Sequence, residues 1–199
     1  MKTTANNVIA VAKKYLGYGV NDLVYREILS VYNMTVQEKE KAQPNEPWSS
    51  TFLSVCFVEA SSENAYKLIG LPEKNKKQFI AKLKKKRIYF ETGSNSLKVG
   101  DLVDFKDDNV GIIESINGRV ITIIVGDKDG TIGRIRCLNN DPRLNGFARP
   151  KYASEKKAID EVANEVILGK WGNGSRMVHN ITVAGYDYEK VRLRVCELS

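Results

Sequence analysis

The sequence predicts an α+β fold. Apolar residues at helical spacing dominate the stretch before Gly93, apolar runs bounded by turn residues follow from Leu102 to Leu138, and helical spacing returns after Ala158. Helices first and strands second, without strict alternation, point to an antiparallel sheet and not to a doubly wound one.

Val8, Val11, Ala12 and Tyr15 mark one face of a helix over Asn7–Leu16, with Gly17 as its stop. Asp22 is placed to cap a second helix through Tyr25, Ile28, Leu29 and Tyr32. Val36 to Pro47 is polar and holds Pro44 and Pro47, so it reads as a loop. Ser49 or Ser50 then caps a third helix that turns Phe52, Leu53, Cys56, Phe57 and Ala60 inward, and a fourth covers about Glu73 to Lys85. Strands are expected at Leu102–Phe105, Val110–Ile116, Val120–Val125 and Thr131–Leu138, with Asn117-Gly118 as a two-residue hairpin turn. Ser154 to Lys157 is a short polar link. Beyond it, Ile159, Val162, Ala163, Val166 and Ile167 mark one helix, and Val191, Val195 and Leu198 another.

Composition narrows the chemistry. The net charge of +7 favours polyanionic partners: nucleic acid, anionic lipid or the teichoic acids of a Gram-positive wall. The acid-free run of Lys76, Lys77, Lys82, Lys84, Lys85, Lys86 and Arg87 reads as the solvated face of the fourth helix, with Phe79, Ile80 and Leu83 inward. No helix-turn-helix, zinc or RNP signature accompanies it, so a nucleic-acid partner is not expected. Cys56, Cys137 and Cys196 are far apart and form no CxxC pair, which points to free thiols and away from a disulfide framework or zinc site. The lone histidine, His179, excludes a histidine-rich metal site. No metal, cofactor or membrane partner is expected. The start of the chain, broken by Lys13 and Lys14, lacks the apolar core of a secretory signal, so the general export route is not expected.

Six segments, in order, resemble one family. Pro47-Trp48-Ser49-Ser50-Thr51-Phe52-Leu53-Ser54 is similar to the P-W-C-x-x-F-V-S opening of the central helix in CHAP and NlpC/P60-type amidohydrolases of phage endolysins. The preceding helix, Arg26 to Asn33, is similar to that of clostridial and streptococcal phage versions. Gly100-Asp101-Leu102-Val103-Asp104-Phe105 resembles G-D-I-V-F-F, and Val110-Gly111-Ile112-Ile113-Glu114 resembles H-V-G-I-V-E. Ile123-Ile124-Val125-Gly126-Asp127 resembles x-I-E-G-N, and Gly146 to Tyr152 resembles the closing G-Y-G-R-P-K-W. The resemblance implies a papain-like domain over residues 1–152. Such a domain needs a cysteine thiolate at the start of the central helix and a histidine on the facing strand. Here the cysteine position is Ser49, the histidine position Asn109, the glutamate position Val125 and the asparagine position Asp127. A serine needs a general base, and Asn109 accepts no proton at neutral pH. Asp127 is the one carboxylate that can serve, and Cys56 reads as a core thiol.

Residues 157–199 resemble a second family. Glu165-Val166-Ile167-Leu168-Gly169-Lys170-Trp171-Gly172-Asn173-Gly174 and Ala184-Gly185-Tyr186-Asp187-Tyr188, followed by Val191, Val195 and Leu198, are similar to the Cpl-7-type wall-binding repeat. That likeness implies a small three-helix bundle that binds peptidoglycan muropeptides, with Trp171, Asn173, Arg176 and Asp187 as the candidate contacts. Asp187 is also placed to cap the last helix, and Trp171 is a platform or a core residue. The family's arginine falls on Met177, with Arg176 one place early. His179 is expected to face solvent.

Two functional classes remain open on this reading. One is a peptidoglycan-binding, endolysin-like protein with a degenerate amidohydrolase domain, acting as a virion component or a regulator of lysis. Its partners would be Gram-positive peptidoglycan or a muropeptide, with anionic wall polymers or phage proteins beside them. The other is an active amidase or endopeptidase with Ser49 in the nucleophile position.

Overall fold

Thr4 and Asn7 set the start of the first helix, α1 (Ala5–Lys14), by a reciprocal cap: the Thr4 hydroxyl accepts the Asn7 N–H, and the Asn7 side chain accepts the Thr4 N–H. The cap explains why α1 begins and ends two residues before the spacing of apolar residues suggests. Lys13 and Lys14 complement the helix dipole at its other end. The computed structural model describes residues 3–60, 65–93, 96–153 and 157–199. The chain divides into two compact units, Met1–Ser154 and Glu155–Ser199. Of the polar link expected at Ser154–Lys157, all but Lys157 lies outside the described residues.

In the first unit α2 (Leu23–Asn33) follows Asp22, but the Asp22 carboxylate accepts the Gly19 N–H at 2.7 Å and makes no bond into the helix. The expected cap is therefore spent on the tight turn before α2. The predicted loop 36–47 holds one 3₁₀ turn at Glu38–Glu40. The central helix α3 (Ser49–Glu59) is buried along almost its whole length, from Ser49 to Phe57. α4 (Lys76–Lys85) starts three residues later than expected because Asn75 is its cap, accepting the Gln78 N–H. Phe79, Ile80 and Leu83 face inward, as their spacing demands.

Six antiparallel strands form one sheet in the order β1-β6-β2-β3-β4-β5. They are β1 (Tyr89–Glu91), β2 (Leu102–Phe105), β3 (Val110–Asn117), β4 (Val120–Lys128), β5 (Thr131–Leu138) and β6 (Leu144–Ala148). β1 and β6 are additions to the sequence-based expectation, and β4 runs three residues further. The β3–β4 turn is Gly118-Arg119, not Asn117-Gly118: Asn117 pairs with Val120, and Gly118 takes φ +58°. Glycine in the first central position matches the type II′ geometry, whose twist suits a hairpin.

Both faces of the sheet are buried. Leu102, Val110, Ile112, Ile124 and Ile132 join the helices in one core, while Val103, Phe105, Ile113, Ile123 and Val125 form a second core on the other face. This gives β2 a continuous apolar pattern broken only by Asp104. α3 lies directly on β4. A Cβ on Gly126 would stand 2.6 Å from the Phe52 Cβ, so glycine there sets the depth at which the helix seats.

The second unit is a three-helix bundle: α5 (Ile159–Ile167), α6 (Gly174–Val183) and α7 (Tyr188–Leu198). Its core is small. Val162, Ile181 and Val191 are buried, with Val166, Trp171, Met177, Tyr186, Tyr188 and Val195 packed against them. The charge divides unevenly between the units. Seven acids cancel seven bases across residues 155–199, so the whole excess of +7 belongs to the first unit.

Candidate functional site

The first candidate site lies at the start of α3, where three loops meet. Ser49 is the first residue of the helix and Trp48 holds the cap position, with no side-chain cap bond. The expectation that Ser49 or Ser50 caps the helix fails because the Ser49 hydroxyl is engaged elsewhere. It donates to the Asp108 carbonyl at 3.0 Å and accepts the Val110 N–H at 3.3 Å. Ser49 therefore sits against the backbone on both sides of Asn109. Asn109 itself turns away: its side-chain amide donates to an Asp107 carboxylate oxygen at 3.2 Å, and its backbone N–H donates to the other at 2.9 Å.

Asp127 reaches the same place from β4. The register of β4 against β5 shifts between Val125 and Lys128, and Asp127 adopts φ +61° inside that bulge. Its carboxylate accepts the Trp48 N–H at 3.2 Å. Burial pushes its pKa above the usual aspartate value, and hydrogen bonding from Trp48 offsets part of that rise. Val125, where the amidohydrolase pattern has a glutamate, is an apolar core residue with no exposed surface. The structure thus brings Ser49 and the backbone of Asn109 together and places Asp127 one residue away at Trp48. Cys56 lies deeper in α3, fully buried, and burial raises its pKa well above the usual thiol value. That environment disfavours the thiolate a nucleophile needs.

Lys76 was legible only as part of a solvated basic face. It instead pairs with buried Asp104 at 2.9 Å and donates to the carbonyls of Phe105 and Asp107. Asp104 also accepts from the Tyr89 hydroxyl at 2.9 Å and the Asn145 amide at 2.8 Å. Lys76 so fastens the start of α4 to the β2–β3 connection that Ser49 also grips. A lysine in the first turn opposes the helix dipole. That local misfit was the available signal that Lys76 serves a tertiary partner.

The second candidate site is on the bundle. Trp171 follows α5, half-buried, with its ring edge-on to Tyr186 at 5.9 Å and 89°. Its indole N–H donates to Glu165 at 3.1 Å, and its carbonyl accepts from the Asn180 amide at 3.0 Å. Glu165 also pairs with Lys157 at 2.5 Å, which lowers its pKa. Asp187 caps α7, accepting the N–H groups of Glu189 and Lys190 at 3.0 and 3.3 Å. Asn173 stands exposed at the cap position of α6 without making a side-chain cap bond. Arg176 is exposed and enters no ion pair among the described residues. Trp171 and Asp187 are therefore committed to the fold, while the side chains of Asn173 and Arg176 make no hydrogen bond or ion pair among the described residues. His179 is exposed on α6. Glu165, Lys157 and Asn180 were not singled out from the sequence, because their roles depend on a turn closing against α5.

The CW_7 repeat, a Cpl-7-type cell-wall-binding repeat, matches residues 160–198, which is nearly all of α5, α6 and α7. Neither a curated protein nor a solved structure matches the chain. Among the described residues no helix is long and apolar enough to cross a membrane.

Proposed function

We propose that the protein attaches to Gram-positive peptidoglycan through α5–α7, and that its N-terminal unit is an endolysin-type amidohydrolase scaffold that does not cut. The observation that carries this reading is the CW_7 match across the bundle. Asn173 and Arg176 supply the polar contacts to a muropeptide. The basic first unit adds a salt-sensitive attraction to anionic wall polymers. The likeness of the first unit to CHAP and NlpC/P60-type enzymes supports a role beside a true lysin, as a virion component or regulator of lysis.

The non-cutting part rests on the chemistry around Ser49. Its proton is directed to a backbone carbonyl, Asn109 offers no base, and Asp127 faces the Trp48 N–H. A second reading, a hydrolase using Ser49, draws on Asp127, whose raised pKa suits a proton acceptor better than an ordinary aspartate. Zymography of the full chain against whole cell walls separates the two. Absence of clearing supports the binding reading, whereas clearing that vanishes in Ser49→Ala supports the hydrolase.

A further inference from the structure

Two helices of the first unit open onto one cavity of about 260 Å³. α3 brings Ser49 and Ser50 to its wall, and α4 brings Asn75, Lys76 and Lys77. The first amides of a helix have no acceptor within it, and they carry the positive end of its dipole. In α4, Asn75 caps one of them. In α3 no side chain caps any. The start of α3 is therefore an uncapped set of donors in a buried place.

A second observation points the same way. Ser50 is 1 % exposed, lines the cavity, and its hydroxyl has no hydrogen-bond partner among the described residues. A buried hydroxyl left unpaired is costly and calls for an occupant that pairs it. The charges decide what kind. Lys74 is neutralised by Glu46 at 2.9 Å, and Lys76 by Asp104. Lys77 is exposed and enters no ion pair among the described residues, so it is the free cation of the wall. The remaining acid, Asp108, is exposed; its backbone carbonyl accepts from Ser49, and its carboxylate enters no ion pair among the described residues. Lys77 and Asp108 balance, so the uncapped start of α3, the positive end of its dipole, sets the sign of the wall. The space is below that of a drug-sized pocket and suits one small group.

We propose that this cavity binds a single oxyanion group, the carboxylate of a peptide or a phosphate ester, through the first amides of α3, the Ser50 hydroxyl and Lys77. The site lies wholly in the first unit and does not depend on wall binding by α5–α7, so the two readings can fail separately.

The test is a titration of the full-length, ¹⁵N-labelled chain with sodium phosphate and, separately, sodium acetate, at constant ionic strength in sodium chloride. Saturable shifts concentrated at the amides of Ser49, Ser50, Thr51, Lys76 and Lys77 are expected. Saturation by phosphate alone assigns a phosphate ester, and saturation by acetate alone assigns a peptide carboxylate. Ser50→Ala removes an unpartnered hydroxyl and Lys77→Gln an exposed charge, so both variants keep the fold, and each weakens binding about tenfold. No saturable shift with either anion, shifts scattered over surface lysines, or binding unchanged in both variants would overturn the proposal.

Discussion

The Ser49 hydroxyl donates its proton to the carbonyl of Asp108 at 3.0 Å. A group that gives its proton to a backbone carbonyl is serving as a brace between α3 and the β2–β3 connection. Ser49→Ala leaves the buried Val110 N–H unpaired and takes the donor from the part-buried Asp108 carbonyl, at a cost of about 1–3 kcal/mol. Urea unfolding shows this as a lower midpoint with an unchanged slope. Wall binding is unaltered.

The brace also bears on any attempt to install the chemistry of the amidohydrolases that the first unit resembles in sequence. Ser49→Cys with Asn109→His supplies nucleophile and base together, and measurable clearing of a cell-wall suspension is expected only from the pair, since such residues act as a unit. Clearing by either single variant contradicts the assignment of these two positions.

Asp127 combines a strained backbone with an unfavourable charge. Its φ of +61° is tolerated best by Asn, Asp or Gly, and its carboxylate accepts the Trp48 N–H. Asp127→Asn keeps the acceptor and the backbone fit, so stability at neutral pH is maintained or raised. Asp127→Ala loses both and costs about 1–3 kcal/mol. The pH sign follows from the raised pKa. The folded state holds this proton more tightly than the unfolded state does. Its contribution to stability is thus present below the usual aspartate pKa and lost as pH rises through the folded value. Comparing wild type with Asp127→Asn in thermal melts across the acid range isolates it.

Glu114 behaves in the opposite way. Its hydrogen bonds from Arg134, at 2.6 and 2.8 Å, and its pairing with Lys13 at 3.2 Å lower its pKa. Its contribution is full above the usual glutamate pKa and is lost as pH falls through the lowered folded value. Arg134 and Lys13 are about half exposed, so the effect is screened and salt-sensitive. Glu114→Gln should flatten the acid limb of the stability profile. A limb unchanged by that substitution contradicts this reading of the pair.

In the bundle, Trp171→Ala removes the largest side chain packed on a core of three buried residues, together with the Glu165 tie. A unit this small has little reserve, so the α5–α7 signal in circular dichroism should collapse. Arg176→Ala touches no core contact and leaves the melt unchanged. A folded Trp171→Ala bundle that no longer binds wall would make the ring a binding platform and not a support.

Local signals in the sequence were enough for much of this architecture. Asp187 before α7, the apolar faces of α4 and α5, and strands β2 to β5 all follow from residue spacing and capping chemistry that neighbouring residues supply. β1 and β6 were not visible. β1 has three residues, and β6 has Gly146 at a buried position where its pattern would call for an apolar side chain. Gly146 is needed there because the Tyr89 ring lies over it. The partners of Ser49, Lys76 and Asp127 were equally hidden, since each lies on a segment distant in the chain. The resemblance to the amidohydrolases pointed to Ser49, Asn109 and Asp127, and Lys76 stood only in a basic run, but the packed chain alone shows that Ser49 braces, Lys76 clamps and Asn109 turns aside.

The central claim is that wall attachment resides in the surface of α5–α7 presenting Asn173 and Arg176. The direct measurement is co-sedimentation of the full chain with purified Gram-positive peptidoglycan, beside the double variant Asn173→Ala, Arg176→Ala, at low and at high salt. The account predicts that wild type sediments at both, that the double variant stays folded, and that it loses at least about tenfold in affinity at high salt, where attraction of the basic first unit to the wall is screened. Undiminished sedimentation of a folded double variant at high salt, or none by wild type at either, would contradict it.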